Sequence, residues 1–385
     1  MYVRNIKIAF IAAFFLIIAI PLAFIDPTPG KISEMEQRKL QNFPQIFNRA
    51  EETAYEKLRE GAIEFQRFFD DRIGFRLWCV EKTAIAKIRL LGGASGKSSV
   101  LGKDGWTFSK GFRYNAEKEA EVISAQIKVA EYYSIRNIDY YFVLPPAKSE
   151  VYPEYLPPTI TPLMIPDIDG ISAALDRETD VNCVNTKSRI LEYKAKGKVF
   201  AAGDHHWSGM GSYAGYLAIV DKLTGNGYDI RPIDVQFVEE VAPEKSGTNN
   251  LGLPGIFTNE GFVADIVPVA KWDQRSKTNN SGADWDKLQR LEEKYNIISA
   301  SCNIYENPEA EYGTLLMYGD SFFGRAYDIG AYFAEHFKKV IQIRINESEI
   351  IPEADEYFKP DIVFYERYGN SIYRSANAAN LLPGL

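Results

Sequence analysis

The stretch "TLLMYGDSFFGRA" (residues 314–326) shows most directly how this chain folds. It begins with a mostly apolar run of strand length, and Gly319-Asp320 then interrupts that run. This pattern predicts a buried strand that ends in a turn. The stretch "GRAYDIGAYFAEHF" (324–337) predicts a helix. A strand, a turn and a helix in this order form the repeating unit of a parallel α/β sheet.

The same alternation continues on both sides of this unit. Downstream, the pattern predicts a strand, a helix and a final strand, at residues 338–345, 347–358 and 360–368. Upstream, a predicted helix over 116–137 precedes a short apolar strand, "DYYFVL" (139–144), which a Pro-Pro pair ends. We therefore predict one α/β domain over residues 111–385, with a parallel sheet flanked by helices.

The N-terminus predicts a membrane anchor over residues 1–25. Arg4 and Lys7 precede an uncharged apolar run from Ile8 to Ile25, and a bilayer core takes about 20 helical residues. The basic flank favours a cytoplasmic start, so we expect a single pass through the inner membrane, with the body periplasmic or otherwise extracytoplasmic. The alternatives are a cleaved signal peptide and a buried soluble helix. Residues 26–110 predict a stalk and a helical entry segment.

Charge and cysteine content exclude some classes of function. The net charge of −8, with no basic stripe, argues against a nucleic-acid partner. The cysteines, Cys79, Cys183 and Cys302, have no zinc-site spacing. If one pair is oxidised outside the cytoplasm, Cys183–Cys302 is our expectation, and three isolated buried thiols are the alternative.

Ser321 is the candidate nucleophile, because it follows a strand at the edge of the sheet where α/β proteins bind ligands. A serine nucleophile needs a base, and the chain has only three histidines. His206 lies two residues after Asp204 in "GDHHW" (203–207), so the carboxylate can hold one imidazole nitrogen and leave the other for Ser321. His336 is expected to be a surface residue of a helix.

Three interpretations of "GDHHW" remain at this stage. The first is a Ser-His-Asp triad of Ser321, His206 and Asp204. The second is a metal site of Asp204 with both histidines, although neighbouring side chains seldom converge and no further ligand cluster is present. The third is a structural role, in which Ser321 or Asp320 only caps a helix. We favour the triad and expect no metal and no cofactor.

"GDHHW" followed by "YGDSF" resembles the SGNH-hydrolase-like polysaccharide O-acetyltransferases of the alginate acetylation type and their DHHW-motif relatives. Further stretches carry the same resemblance: "ISEMEQRKLQNFP" (32–44), "FFDDRIGFR" (68–76), "VLGKDGWTF" (100–108), "VLPPAKSEVYPEYLP" (143–157) and "FYERY" (364–368). It implies an SGNH-hydrolase-like fold with Asp204, His206 and Ser321 as the catalytic residues. His205 stands where alginate-type enzymes usually have another residue.

The resemblance also implies an activity and partners. The implied activity is transfer of acetyl groups to an exopolysaccharide through an acyl-serine, with a membrane-bound O-acyltransferase as the donor partner. The alternatives are a carbohydrate esterase with the same triad and a non-catalytic component of polysaccharide assembly. Tyr327 and Arg367 are side-chain candidates for the second oxyanion donor, beside the Ser321 N–H, and His205 is a further candidate in the site.

Overall fold

The computed structural model describes residues 2–33, 38–44, 53–79, 82–83, 99–110, 113–156, 166–241, 265–295, 297, 302–323, 327, 329–345 and 349–383. The chain divides into two compact units. The first comprises Met1–Lys97 with Thr248–Val263, and the second comprises Ser98–Gly247 with Ala264–Leu385.

The first unit contains helix α1 (Tyr2–Ala23), the short strands β1 (Ile32–Ser33) and β2 (Arg38–Lys39), and helix α2 (Ala54–Arg72). Among the described residues, α1 supplies the one helix long and apolar enough to cross a membrane, over Arg4–Ala23. Helix α2 begins after Thr53, whose side chain and backbone exchange hydrogen bonds with Glu56.

The second unit is built on a sheet with the strand order β6-β5-β13-β11-β12-β10-β9. Its strands are β5 (Asp139–Leu144), β6 (Asn182–Asn185), β9 (Lys277–Thr278), β10 (Asn303–Glu306), β11 (Tyr312–Gly319), β12 (Phe337–Arg344) and β13 (Ile362–Glu366). The first five strands in this order, β6, β5, β13, β11 and β12, pair in parallel. At the other edge β10 pairs antiparallel with both β12 and β9. The predicted α/β class is confirmed, with a mixed rather than purely parallel sheet.

Two hairpins complete the strands of this unit: β3 (Ser99–Leu101) with β4 (Thr107–Ser109), and β7 (Gln236–Val241) with β8 (Ile266–Lys271). The helices are α3 (Ala116–Ser134), α4 (Lys148–Val151), α5 (Ile168–Glu178), α6 (Lys187–Lys194), α7 (Gly209–Gly225), α8 (Gly282–Tyr295), α9 (Ile329–Phe333) and α10 (Pro352–Phe358). A 3₁₀ segment, Gly369–Asn377, follows β13.

Both faces of the central sheet are buried. On β11, Leu315 and Met317 pack into one core cluster with α6, α7 and α9, while Leu316 and Tyr318 pack into the other with α3, α5, α8 and α10. Alternate residues of a strand point to opposite faces, so a central strand buried on both sides is a continuous apolar run. The carboxyl ends of β11 and β13 therefore emerge from the middle of the fold at one edge of the sheet.

The turn predicted at the end of β11 is confirmed, because Ser321–Phe323 form a turn. The helix predicted over 324–337 is shorter than expected: among the described residues of this stretch, Tyr327 lies in a bend and α9 spans Ile329–Phe333. All five residues of α9 are buried. Ser321 lies in a tight turn after β11.

The expected Cys183–Cys302 pair is also wrong. All three cysteines are free, and the two proposed partners are buried thiols. Cys183 lies on β6 and Cys302 immediately precedes β10, and four strands separate β6 from β10 in the sheet. Neighbouring strands are about 4.8 Å apart, so these thiols lie far beyond disulfide reach.

Candidate active site

The turn after β11 presents Ser321 in a defined geometry. A Cβ atom at Gly319 would lie 2.8 Å from Phe323 Cβ and 2.9 Å from Glu366 Oε2, so only glycine fits there. The Asp320 N–H donates to Glu366 Oε2 at 2.9 Å, and Asp320 Oδ1 accepts from the Phe322 N–H at 2.9 Å. These contacts fix the backbone on both sides of the serine.

The "GDHHW" loop is closed at its base. The Ser208 N–H donates to the Val199 carbonyl at 2.8 Å, and Ser208 caps α7 by accepting from the Gly211 N–H at 3.2 Å. Trp207 is 2% exposed, and a Cβ at Gly215 would lie 2.7 Å from its ring. The indole thus packs directly on the α7 backbone, which holds the preceding histidine in place.

Asp204, His206 and Ser321 form a continuous hydrogen-bonded chain. His206 Nδ1 lies 2.8 Å from Asp204 Oδ1, and His206 Nε2 lies 2.7 Å from Ser321 Oγ. A carboxylate only accepts, so Nδ1 carries the proton, and Nε2 accepts from the Ser321 hydroxyl. This orientation is the one that a base needs to remove the serine proton.

Ser321 opens onto a cleft of roughly 320 Å³, while His206 lies beneath it and is 6% exposed. The cleft wall is polar and rich in cationic groups, contributed by Lys110, Arg344, Arg367 and Arg374. The His206 imidazole is therefore shielded from bulk water, while Ser321 lies at the cleft wall.

His205 lines the same cleft but has a different environment. Its ring lies 3.9 Å from that of His206, and its Nδ1 is 3.4 Å from Asp204 Oδ1. Burial, together with the neighbouring His206, lowers the pKa of His205 to about 3, so this imidazole stays neutral. His205 therefore forms an uncharged, polar part of the cleft wall.

Arg367 is brought to the cleft, whereas Tyr327 is not part of the cleft wall. The Arg367 side chain is 1% exposed, its Nη2 donates to the Ile345 carbonyl at 3.3 Å, and its Nε has no partner among the described residues. Tyr327 is half-buried, and its backbone carbonyl accepts from Ser212 Oγ at 2.8 Å. The geometry supports Arg367, not Tyr327, as a group that faces a substrate.

The structure adds two groups that the sequence analysis did not identify. Glu366 is fully buried beneath the Ser321 turn, where burial and the nearby Asp320 raise the pKa of its carboxyl well above the usual range. Lys148 is buried below the "GDHHW" loop. Glu366 was visible in sequence as a charged residue within a buried apolar strand, a placement that requires a specific partner, whereas Lys148, beyond the end of β5, carried no such signal.

The alternative of a metal site has a partial geometric basis. Ligand atoms of Asp204, His205 and His206 lie within 4.8 Å of one another. Both His206 nitrogens are engaged, however, by Asp204 and Ser321, so binding an ion there requires breaking the chain of hydrogen bonds. The donor set fits a triad better than a metal.

His336 is not the surface residue that the sequence suggested. Its Nε2 lies 2.7 Å from the Tyr216 hydroxyl, and burial lowers its pKa to about 4. It is a structural histidine paired with α7.

Both the sequence and the fold of this chain match known proteins. Residues 100–255 match the family described as the SGNH hydrolase-like domain of the acetyltransferase AlgX. The predicted resemblance is confirmed over this part of the chain. The matched range includes Asp204 and His206, while Ser321 lies beyond it.

Solved structures show the same fold. The O-acetyltransferase domain of Pseudomonas putida AlgJ is 19% identical, with a TM-score of 0.50 over 72% of this chain and 92% of that one. A DHHW family protein from Eubacterium siraeum is 14% identical, with a TM-score of 0.50 over 75% of this chain and 95% of that one. No curated protein matches the sequence.

Proposed function

We propose that this protein is an O-acetyltransferase that moves acetyl groups onto a polysaccharide through an acyl-Ser321 intermediate. The observation that carries the proposal is the Asp204–His206–Ser321 chain, with distances of 2.8 and 2.7 Å, at the wall of an open cleft. The match to an acetyltransferase family and the fold shared with an O-acetyltransferase domain support the choice of reaction.

In the first half-reaction, His206 Nε2 takes the Ser321 proton as Oγ attacks the acetyl carbonyl of the donor. The tetrahedral oxyanion is stabilised by hydrogen-bond donors in the cleft, for which the Ser321 N–H and Arg367 are the candidates. His206 then returns the proton to the leaving oxygen or sulfur of the donor. Asp204 keeps Nδ1 protonated and stabilises the imidazolium that forms.

In the second half-reaction, a sugar hydroxyl replaces the departed donor group. His206 takes the hydroxyl proton, the sugar oxygen attacks acetyl-Ser321, and the serine regains its proton as the sugar acetate leaves. If water reaches the acyl-serine instead, the same steps give hydrolysis. Transfer therefore depends on the cleft holding the acceptor near Ser321.

The apolar helix α1 supports the proposal that the protein is anchored in the inner membrane with its second unit outside the cytoplasm. Such an anchor raises the effective concentration of Ser321 near a membrane-bound acyltransferase that presents the acetyl donor. N-terminal sequencing of the protein from membranes tests this directly. A mature chain that begins near Asp26 contradicts it.

The proposed activity is tested with the purified protein and a chromogenic acetyl ester, in the presence and absence of acceptor. Two acceptors, a polyuronate and a neutral polysaccharide, are compared, and acetate on the polymer is quantified separately from free acetate. Acetylated polymer that depends on Ser321 supports the proposal. Release of free acetate alone identifies an esterase, and no release at all identifies a non-catalytic component.

A further inference from the structure

Lys148 occupies an unusual position at the start of α4. It is 2% exposed, and its Nζ lies within hydrogen-bonding distance of four backbone carbonyls, which share the three N–H donors of the ammonium group. These belong to Thr107, Ala201, Ala202 and Asp204, at 2.9, 2.5, 2.6 and 2.9 Å. Three of the four carbonyls, those of Ala201, Ala202 and Asp204, belong to the start of the "GDHHW" loop and the residues just before it, which we call the catalytic loop.

This ammonium group has no carboxylate partner within ion-pair distance among the described residues. The rings of Trp106 and Phe108 lie 4.7 and 5.3 Å from Nζ and cover it on another side. A buried lysine is costly for a fold, and here the neutral carbonyls and aromatic faces take the place of water. Such an arrangement indicates a specific role in the segment that it holds.

The same segment is held from a second direction. The Ala202 N–H donates to the Asp265 carboxylate, which also pairs with Lys198 Nζ at 2.7 Å. Burial lowers the pKa of Lys148 to about 7, and the charges of Asp204 and Asp265 partly oppose that shift. The backbone on the N-terminal side of His206 is thus fixed by a lysine and an aspartate.

We propose that Lys148 is a positioning residue for the triad: it fixes the Asp204 backbone so that the carboxylate meets His206 Nδ1. The inference rests on the proposed function, because it assigns Lys148 a task in that reaction. Asp204 Oδ1 also accepts from the His206 N–H at 3.2 Å. A shift of the Asp204 carbonyl therefore moves the carboxylate and the imidazole together.

The test is Lys148→Met, which keeps the length of the side chain and removes its donors. We expect kcat of the full-length protein to fall about 10²-fold with little change in KM, because the base is misplaced while the cleft is intact. The decisive measurement is a cycle with Asp204→Ala. If Lys148 acts through Asp204, adding Lys148→Met to the Asp204→Ala variant lowers kcat by less than about threefold.

Lys194→Met is the matched control. Lys194 Nζ also donates to a backbone carbonyl, that of Val151 at 2.7 Å, and lies 4.5 Å from the Tyr152 ring, but it does not touch the catalytic loop. Its replacement should leave kcat within about twofold. Lys148→Gln, which retains one donor group, should lie between the wild type and Lys148→Met.

The outcomes separate this inference from the proposed function. If Ser321→Ala retains activity, the proposed function fails, whatever Lys148 does. If Ser321→Ala is inactive and Lys148→Met is fully active, or costs the same factor with and without Asp204, the positioning role is wrong. Loss of the folded state in both Lys148 variants also overturns it, because Lys148 is then a residue of the core alone.

Discussion

Two aspartates in the second unit, Asp204 and Asp355, are alike in burial and hydrogen bonding but differ in what their partners touch. Asp204 accepts from His206, which in turn reaches Ser321 at the open cleft. Asp355 accepts from the hydroxyls of Tyr132 and Tyr133, at 3.1 and 3.2 Å, inside the opposite face of the fold. The first chain of hydrogen bonds ends at Ser321, the proposed nucleophile, and the second ends within the core.

This difference shows that a buried carboxyl group is not by itself the sign of an active site. Burial raises the pKa of Asp355 to about 7, a shift often associated with catalysis, yet no path connects this carboxyl to the cleft among the described contacts. Continuity of the hydrogen bonds out to an exposed atom distinguishes the two.

The largest effect is expected from replacing the triad. Ser321→Ala and His206→Ala should each lower kcat for acetyl release by at least about 10³-fold, and Asp204→Ala by somewhat less. Steady-state rates with a chromogenic acetyl ester measure this. Because the three groups act as a unit, the Ser321→Ala/His206→Ala double variant should be no slower than Ser321→Ala alone.

Ser321→Ala also separates chemistry from folding. It removes one hydroxyl at the cleft wall, so the free energy of unfolding should change by about 1 kcal/mol or less. Thermal unfolding followed by circular dichroism provides the check. A large loss of stability would mean that the fall in rate reports unfolding rather than chemistry.

Asp355→Asn should produce the opposite pattern. The raised pKa means that folding favours protonated Asp355, so the wild type loses stability as the pH rises from about 4 to 7, by no more than about 4 kcal/mol. The asparagine variant lacks this loss, so the difference in Tm between the variant and the wild type should shift in favour of the variant as the pH rises from 5 to 8. Its kcat should stay within about twofold. A tenfold loss of kcat would place Asp355 in the catalytic path.

His205→Ala should cost less than about tenfold in kcat, far less than His206→Ala. The basis is that His205 is held neutral by burial and makes no hydrogen bond to Ser321 among the described contacts. Parallel rate measurements on the two variants test the assignment. The reverse ranking would make His205 the base.

The smallest effect is expected from metal removal. Both His206 nitrogens are engaged within the triad, so dialysis against a chelator should leave kcat unchanged. Activity that is lost on dialysis and restored by Zn²⁺ would favour the cluster of Asp204 with the two histidines as a metal site.

The sequence predicted the parts of this molecule that depend on local pattern. The apolar run before Gly319 and the spacing of Asp204 and His206 are both local, and the carboxyl edge of the sheet then places Ser321 near them. The direction of β10 was not predictable, because strand periodicity is the same in parallel and antiparallel pairs. The helix after Ser321 was predicted too long, because the apolar residues of a short, fully buried helix do not show where that helix begins and ends.

Lys148 shows more clearly what a sequence pattern cannot predict. A lysine after a strand is ordinarily solvated. The burial of Lys148 depends on the carbonyls of residues 107, 201, 202 and 204, which are remote from it in sequence. Arg367 was predictable as the residue after β13, but its buried Nε without a hydrogen-bond partner among the described residues was not. Contacts of this kind depend on the assembled tertiary structure.

The hydrogen bond between His206 and Ser321 joins residues 115 positions apart. Residues 98–247 carry Lys148, Asp204 and His206, while residues 264–385 carry Ser321 and Arg367. Neither half contains a complete set of reacting groups. On the proposed mechanism, ester turnover would therefore report assembly: two separately expressed halves are expected to be inactive alone and to become active only when they recombine into one sheet.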